Sequence, residues 1–408
     1  MVFFERENMI TRIQIKSLLL LITALLCVFV MTSCGQKDNT KNANSNAENA
    51  TEQQAEETDS ATAKEQRIEE IMADMSLKEK IGQMMMADFR FDGNGNPVTS
   101  INDSIASDIS EYHLGGVILF SENMSDYDTT KQLISDMQSN ADTPMLIGID
   151  EEGGIVSRLD NSTIPHDSVL PAADMNGDTE TAESSGNSIG KTLKFLGINL
   201  DFAPVADVNT NPNNPVIGDR AYGSDPDTVS DMASAFATGL KEAGVNGVAK
   251  HFPGHGDTAT DSHAGAAASY HDMDRLEEIE FKPFQRLIDD GIPCVLVGHI
   301  SLPEVTGNNT PATLSKEIVD ILRNDLDFDG VAITDAMNMG AIMDYYYNAD
   351  AAVMAVESGM DILLMPPNLE HYQSALVEAV ESGRISESRI DESVERILSL
   401  KFDSGLIE

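Results

Sequence analysis

Tryptophan is absent from this chain of 408 residues, and aromatic residues together make up only 5% of it. An extended stacking surface is therefore hard to build. Cysteine is nearly absent as well: Cys27, Cys34 and Cys294 are too few and too scattered for a disulfide framework or a thiolate metal site. Basic residues are scarce, with 26 Lys and Arg against 68 Asp and Glu and a formal charge of −42. That balance excludes nucleic acid as a partner, because a polyanion would be repelled. Long apolar runs are missing apart from one at the N-terminus. Even so, 41% of the residues are hydrophobic and 23% charged, the proportions of a globular chain with a sizeable core.

The one long run covers residues 17–30, is preceded by Arg12 and Lys16, and has the length of a signal-peptide core rather than of a membrane span. It ends in Met31-Thr32-Ser33-Cys34, which resembles a bacterial lipobox, so residues 1–33 are expected to be a lipoprotein signal peptide and Cys34 the lipidated residue. Glu5 and Glu7 are odd in a basic leader, and a start at Met9 would remove them. Residues 34–64 lack Leu, Ile, Val, Phe and Tyr, so burial there cannot offset the entropy of ordering. A flexible tether is expected, with the folded part at 65–408 and membrane contact through the lipid anchor only. That combination places the protein outside the cytoplasmic membrane.

From residue 65 onward, short apolar runs alternate with amphipathic stretches. The runs lie near 81–89, 115–120, 144–149, 195–200, 245–249, 292–297, 330–333 and 360–365. They lack strict polar alternation, as strands buried on both faces do. Helix-like stretches span 225–243, 274–290 and 315–326, and several run into a glycine, among them Gly244, Gly291 and Gly359. Eight repeats of strand and helix predict a single (β/α)₈ TIM barrel, with a doubly wound sheet as the lesser alternative.

In such a barrel chemistry collects just after the strands. Asp150-Glu151-Glu152-Gly153-Gly154 follows the third run, Asp201 the fourth, Lys250-His251 the fifth, His299 the sixth and Asp335 the seventh. The fifth loop, Lys250 to His263, holds three of the eight histidines, and Asp261 stands two residues before His263, where it can orient the imidazole. A metal reading would use His251, His255, His263 and His299, but no His-Glu-x-x-His spacing supports it, and no cofactor is expected.

The run from Lys250 to His263, with Ile333-Thr334-Asp335-Ala336-Met337, Asp150 to Gly154 and Ile217-Gly218-Asp219-Arg220, resembles glycoside hydrolase family 3, in its β-N-acetylhexosaminidase branch. The resemblance implies one barrel without a second sandwich domain, and a retaining exo-β-N-acetylglucosaminidase acting on cell-wall or chitin-type fragments. It implies Asp335 as nucleophile and His263 as general acid/base paired with Asp261. It also implies Asp150, Arg158, Arg220, Lys250 and His251 as sugar-binding residues. Such a scheme works because an imidazole near neutral pKa can protonate a leaving oxygen and later deprotonate water. Two departures stand out. Ile155 occupies a place where the family commonly has arginine, with Arg158 following, and Ala264 to Ala268 lacks the usual proline. The shortage of aromatics favours short substrates. A β-glucosidase, a glycoside phosphorylase, a metal-dependent barrel hydrolase and a solute-binding lipoprotein are the competing expectations, and oligomeric state is not legible.

Overall fold

The structure is a computed structural model that describes residues 62–260 and 265–408. The signal peptide, Cys34 and nearly all of the tether lie outside the described residues, as do Asp261 and His263. Among the described residues no helix is long and apolar enough to cross a membrane.

Each of the eight apolar runs overlaps a strand: β1 Met85–Asp88, β2 Gly116–Leu119, β3 Leu146–Ile149, β4 Leu200–Asp201, β5 Asn246–Phe252, β6 Cys294–Val297, β7 Val331–Thr334 and β8 Leu363–Leu364. They pair in parallel in the order β8-β1-β2-β3-β4-β5-β6-β7. A parallel bridge between Ile333 and Ile362 joins β7 to the approach of β8 and closes the ring. This is the expected (β/α)₈ barrel, not an open sheet.

The barrel interior explains the unalternating runs. Residues of β2, β3, β6 and β7 are buried on both faces, since one side meets the lumen and the other the helices. Met84, Met85 and Met86 are all fully buried, and an added Cβ on Gly116 would stand 2.6 Å from the terminal methyl of Met86. Unbranched methionine fills the irregular space beside a strand that carries no side chain there.

Three expectations need correction. A helix covers 62–74, so the folded part begins before residue 65; Lys64 reaches Asp403 at 2.6 Å and Ile68 is core. The first and fourth runs start ahead of their strands, because Ile81 lies in the last turn of the helix Leu77–Gln83 and Leu196 ends the helix Thr179–Leu196. The expected helix over 274–290 is broken into Met273–Arg275, a wide turn Leu276–Glu280 and Lys282–Asp289. Pro283 supplies no backbone N–H and its ring clashes with the preceding turn, so a continuous helix cannot pass. The stretch over 225–243 behaves as expected: Asp225 caps Pro226–Glu242 by accepting from the Thr228 N–H.

Two buried polar groups fasten the last helix, Glu387–Asp403, to the bottom of the barrel. Asp361 accepts from Arg323, Ser393 Oγ and the Ala332 N–H, with Arg396 at 3.4 Å. Lys401 Nζ donates to Gln83 Oε1 at 2.6 Å and meets no carboxylate among its hydrogen-bond partners.

Candidate active site

The loops after the strands build a cleft of about 470 Å³ at the C-terminal end of the barrel. The third loop starts it. Asp150 and Glu152 both reach Lys250 Nζ at the end of β5, at 2.7 and 2.5 Å, and Lys250 is 2% exposed. Arg220 grips Glu152 with two bonds of 2.8 and 2.7 Å, and Arg158 reaches Asp150 at 3.2 Å. Three cations thus share two carboxylates. Burial opposes ionisation of Asp150, but the charges of Lys250 and Arg158 outweigh it and hold its carboxyl well below the ordinary 3.8. Glu152 is lowered by Lys250 and Arg220 against the same penalty, and Lys250 is kept charged by Asp150 and Glu152.

The chain can turn back after Glu152 because Gly153 and Gly154 adopt φ of +80° and +58°, a region that side chains with a Cβ disfavour. Glu151 points away from the cleft and accepts from the N–H groups of Arg158 and Leu159, which sets the return path of the loop. Its own N–H donates to Asp201, a fully buried carboxyl pushed well above the ordinary range by burial and by the nearby carboxylates Glu151 and Asp150.

The fourth and fifth loops interlock. A Cβ on Gly256 would lie 2.0 Å from the Val208 carbonyl, so only glycine permits this approach. Buried Asp207 accepts from the His251 ring at 2.7 Å and from the His255 N–H at 2.6 Å. Burial disfavours its charge, and His251 more than restores it, holding Asp207 below the ordinary range. With Nδ1 engaged by Asp207, His251 is left to face the cleft through Nε2.

Asp335 follows β7 directly and lines the cleft; its N–H is bonded to the Val297 carbonyl and its Oδ1 accepts from the Ala336 N–H at 2.8 Å. His299, whose place in the site the sequence left open, is buried. Its Nε2 lies 3.0 Å from the Ala336 carbonyl and its Nδ1 2.8 Å from Thr313 Oγ1. A carbonyl only accepts, so Nε2 carries the proton, and the ring braces the backbone beside Asp335.

Asp150, Arg158, Arg220, Lys250, His251 and Asp335 therefore all line one cleft. Among the described residues no three His, Cys, Asp or Glu side chains are grouped to hold a metal ion; the His251 ring meets Asp207, that of His255 meets Thr258, and that of His299 meets Thr313 and Ala336. Residues that sequence reasoning missed are Glu152, the shared partner of Lys250 and Arg220; Asp207, behind His251; and Arg90. The Arg90 guanidinium lies 4.1 Å from the centre of the Phe120 ring, and that of Arg158 5.3 Å. Glu152 stood in the quoted third-loop motif, while Asp207 and Arg90 had no local signal beyond following a strand. Ile155, at the place of the usual arginine, is 75% exposed on the rim.

The profile of the glycosyl hydrolase family 3 N-terminal domain matches residues 76–400. The chain belongs to this family. Among relatives, β-hexosaminidase A of Pseudoalteromonas piscicida is 33% identical over 80% of this chain and 61% of its own length. β-Hexosaminidase LpqI of Mycobacterium tuberculosis is 34% identical over 81% of this chain and 84% of its own. The family 3 β-N-acetylglucosaminidase structure from Paenibacillus sp. superposes with a TM-score of 0.77 at 39% identity, covering 81% of this chain and 63% of that one. The chain therefore spans less than two thirds of some of its family 3 relatives and most of others.

Proposed function

We propose that this family 3 glycosidase is a retaining exo-β-N-acetylglucosaminidase, held outside the cytoplasmic membrane by a lipid on Cys34. Its substrates are terminal β-linked N-acetylglucosamine units of short cell-wall or chitin-type fragments. The observation that carries the reading is the charged cleft at the barrel mouth, with Asp335 on its wall and Asp150, Lys250, Arg158 and Arg220 fixed around it. Rigid donors and acceptors of both signs suit a polyol held in one orientation. Two relatives are named β-hexosaminidases and the Paenibacillus structure a β-N-acetylglucosaminidase, which supports an N-acetylhexosamine as the sugar.

In the first step the Asp335 carboxylate bonds to the anomeric carbon while the glycosidic C–O bond breaks, and the leaving oxygen takes a proton from His263. In the second, His263 removes a proton from water, the resulting oxygen bonds to the anomeric carbon, and the bond to Asp335 breaks. Asp261 orients the imidazole. Asp150 accepts from sugar hydroxyls, and Lys250, Arg158, Arg220 and His251 surround the ring.

The deciding experiment compares aryl β-N-acetylglucosaminide with aryl β-glucoside, with and without phosphate. Preference for the N-acetylated sugar and release of free sugar are expected. A sugar phosphate as main product would make the protein a phosphorylase, and preference for the glucoside would make it a β-glucosidase.

A further inference from the structure

The backbone that carries Asp335 is held from both neighbouring strands. The Asp335 N–H donates to the Val297 carbonyl at the end of β6, and the Met337 N–H donates to the Leu364 carbonyl at the end of β8. Between these two ties lies Ala336, whose N–H donates to Asp335 Oδ1 at 2.8 Å and so fixes the plane of the carboxylate. That donor is only as well placed as residue 336 itself. The Ala336 carbonyl accepts from the Met339 N–H at 3.0 Å and from His299 Nε2, also at 3.0 Å.

His299 in turn is set from behind. Its ring is 1% exposed, and because Nε2 carries the proton, Nδ1 accepts from the Thr313 hydroxyl at 2.8 Å. Thr313 is fully buried, and its own carbonyl accepts at 2.8 Å from Ser358 Oγ, on the last residue of the helix Asn348–Ser358. A flat ring with a nitrogen toward each partner is a rigid spacer, so it fixes the separation of Thr313 and Ala336 as a flexible side chain would not. Among the described residues neither His299 nor Thr313 lines the cleft. Both act through Ala336.

We propose that Thr313 and His299 are positioning residues for the nucleophile, holding residue 336 so that its N–H keeps the Asp335 carboxylate aimed at the anomeric carbon. The proposal rests on the catalytic reading above, in which Asp335 forms the covalent bond. A displacement of about 1 Å between reacting atoms costs roughly 10²-fold in rate. Met339 keeps one bond to the Ala336 carbonyl, so the loss should be graded rather than complete. Binding of the sugar and protonation of the leaving oxygen depend on other residues, and neither should change.

The test measures kcat/KM on methyl and on activated phenyl β-N-acetylglucosaminide, inhibition by N-acetylglucosamine, and thermal melting. It compares the unaltered protein with Thr313→Val, Thr313→Ser, His299→Leu and His299→Gln. Thr313→Val keeps the shape and loses the hydroxyl, and kcat/KM should fall about three- to ten-fold; His299→Leu loses both bonds and should fall about 10- to 100-fold. The fall should be the same on both substrates, with the inhibition constant unchanged within two-fold. Thr313→Ser and His299→Gln, which can remake a bond through their hydroxyl and amide, should regain most of the rate. If His299→Leu does not fold, Thr313→Val decides alone. Folded variants within two-fold of the unaltered protein overturn the proposal, as does a fall that grows with a poorer leaving group or is matched by weaker inhibition. Asp335→Asn is measured beside them. If it is inactive, those failures leave the catalytic reading standing; if it keeps turnover, that reading fails and this inference with it.

Discussion

Replacing Asp150 by Asn tests whether this carboxylate holds a sugar or merely balances charge. Its two oxygens accept from Lys250 Nζ at 2.7 Å and Arg158 at 3.2 Å, with Asp150 21% and Lys250 2% exposed by side chain. Breaking a buried pair from one side costs about 3–5 kcal/mol. Partial exposure of Asp150 and Arg158, and the second carboxylate on Lys250, reduce this to about 2–3 kcal/mol, or roughly 3–4 °C in melting midpoint for a folded part of this size. If Asp150 also accepts from sugar hydroxyls, each charge-assisted bond lost is worth about 1.5–3 kcal/mol, so kcat/KM should fall roughly 10- to 150-fold. The assay is aryl β-N-acetylglucosaminide turnover with thermal melting at pH 6–8. Because Lys250 and Arg158 depress the Asp150 pKa below its unfolded 3.8, its contribution is complete above about pH 4 and is lost only as pH falls through the lower folded value. The deficit of Asp150→Asn should therefore be flat across the assay range and shrink in acid. A melting loss of this size with kcat/KM unchanged within two-fold would refute the sugar-binding role and leave a structural ion pair.

Asp335→Asn should reduce turnover below a few per cent with the melting midpoint retained, since water cannot replace a covalent nucleophile; substantial residual rate in uncontaminated protein would place the nucleophile elsewhere. His263→Ala should slow alkyl glycosides about 10²- to 10⁴-fold and activated phenyl glycosides far less, whereas equal losses would contradict the acid role. Lys401, fully buried with Gln83 as its hydrogen-bond acceptor, is pushed by burial down to about 7 from 10.5. The unfolded chain then binds the extra proton between those values, so stability should rise from pH 7 to pH 10 by up to about 5 kcal/mol from this group, and Lys401→Met should flatten that rise in a melting series. An unchanged slope would mean that the amine is solvated.

The strands were legible because burial on both faces is written locally: a run of about four residues without a polar side chain marks β3 or β6 whatever the rest of the chain does. The positions of Asp150 and Asp335 directly after their strands, and of Lys250 toward the end of β5, were legible for a related reason, since the first charged group past a barrel's apolar run comes out toward the mouth. The Asp225 cap and the left-handed Gly359 that ends Asn348–Ser358 were likewise visible in their immediate neighbours. Pairing was not. Lys250 and Asp150 are 100 residues apart, Arg220 and Glu152 are 68 apart, and Lys64 meets Asp403 across 339 residues, which is why the start of the folded part could not be read from the composition of 62–64. Nor could the sequence show that Tyr270 and Tyr345, on separate loops, would line one hollow. Periodicity and capping depend on residues a turn or two apart, and the sequence carries them directly. Which loops touch depends on closure of the ring between β7 and β8 and on the side-chain volumes that set its shape, and only the folded barrel decides that.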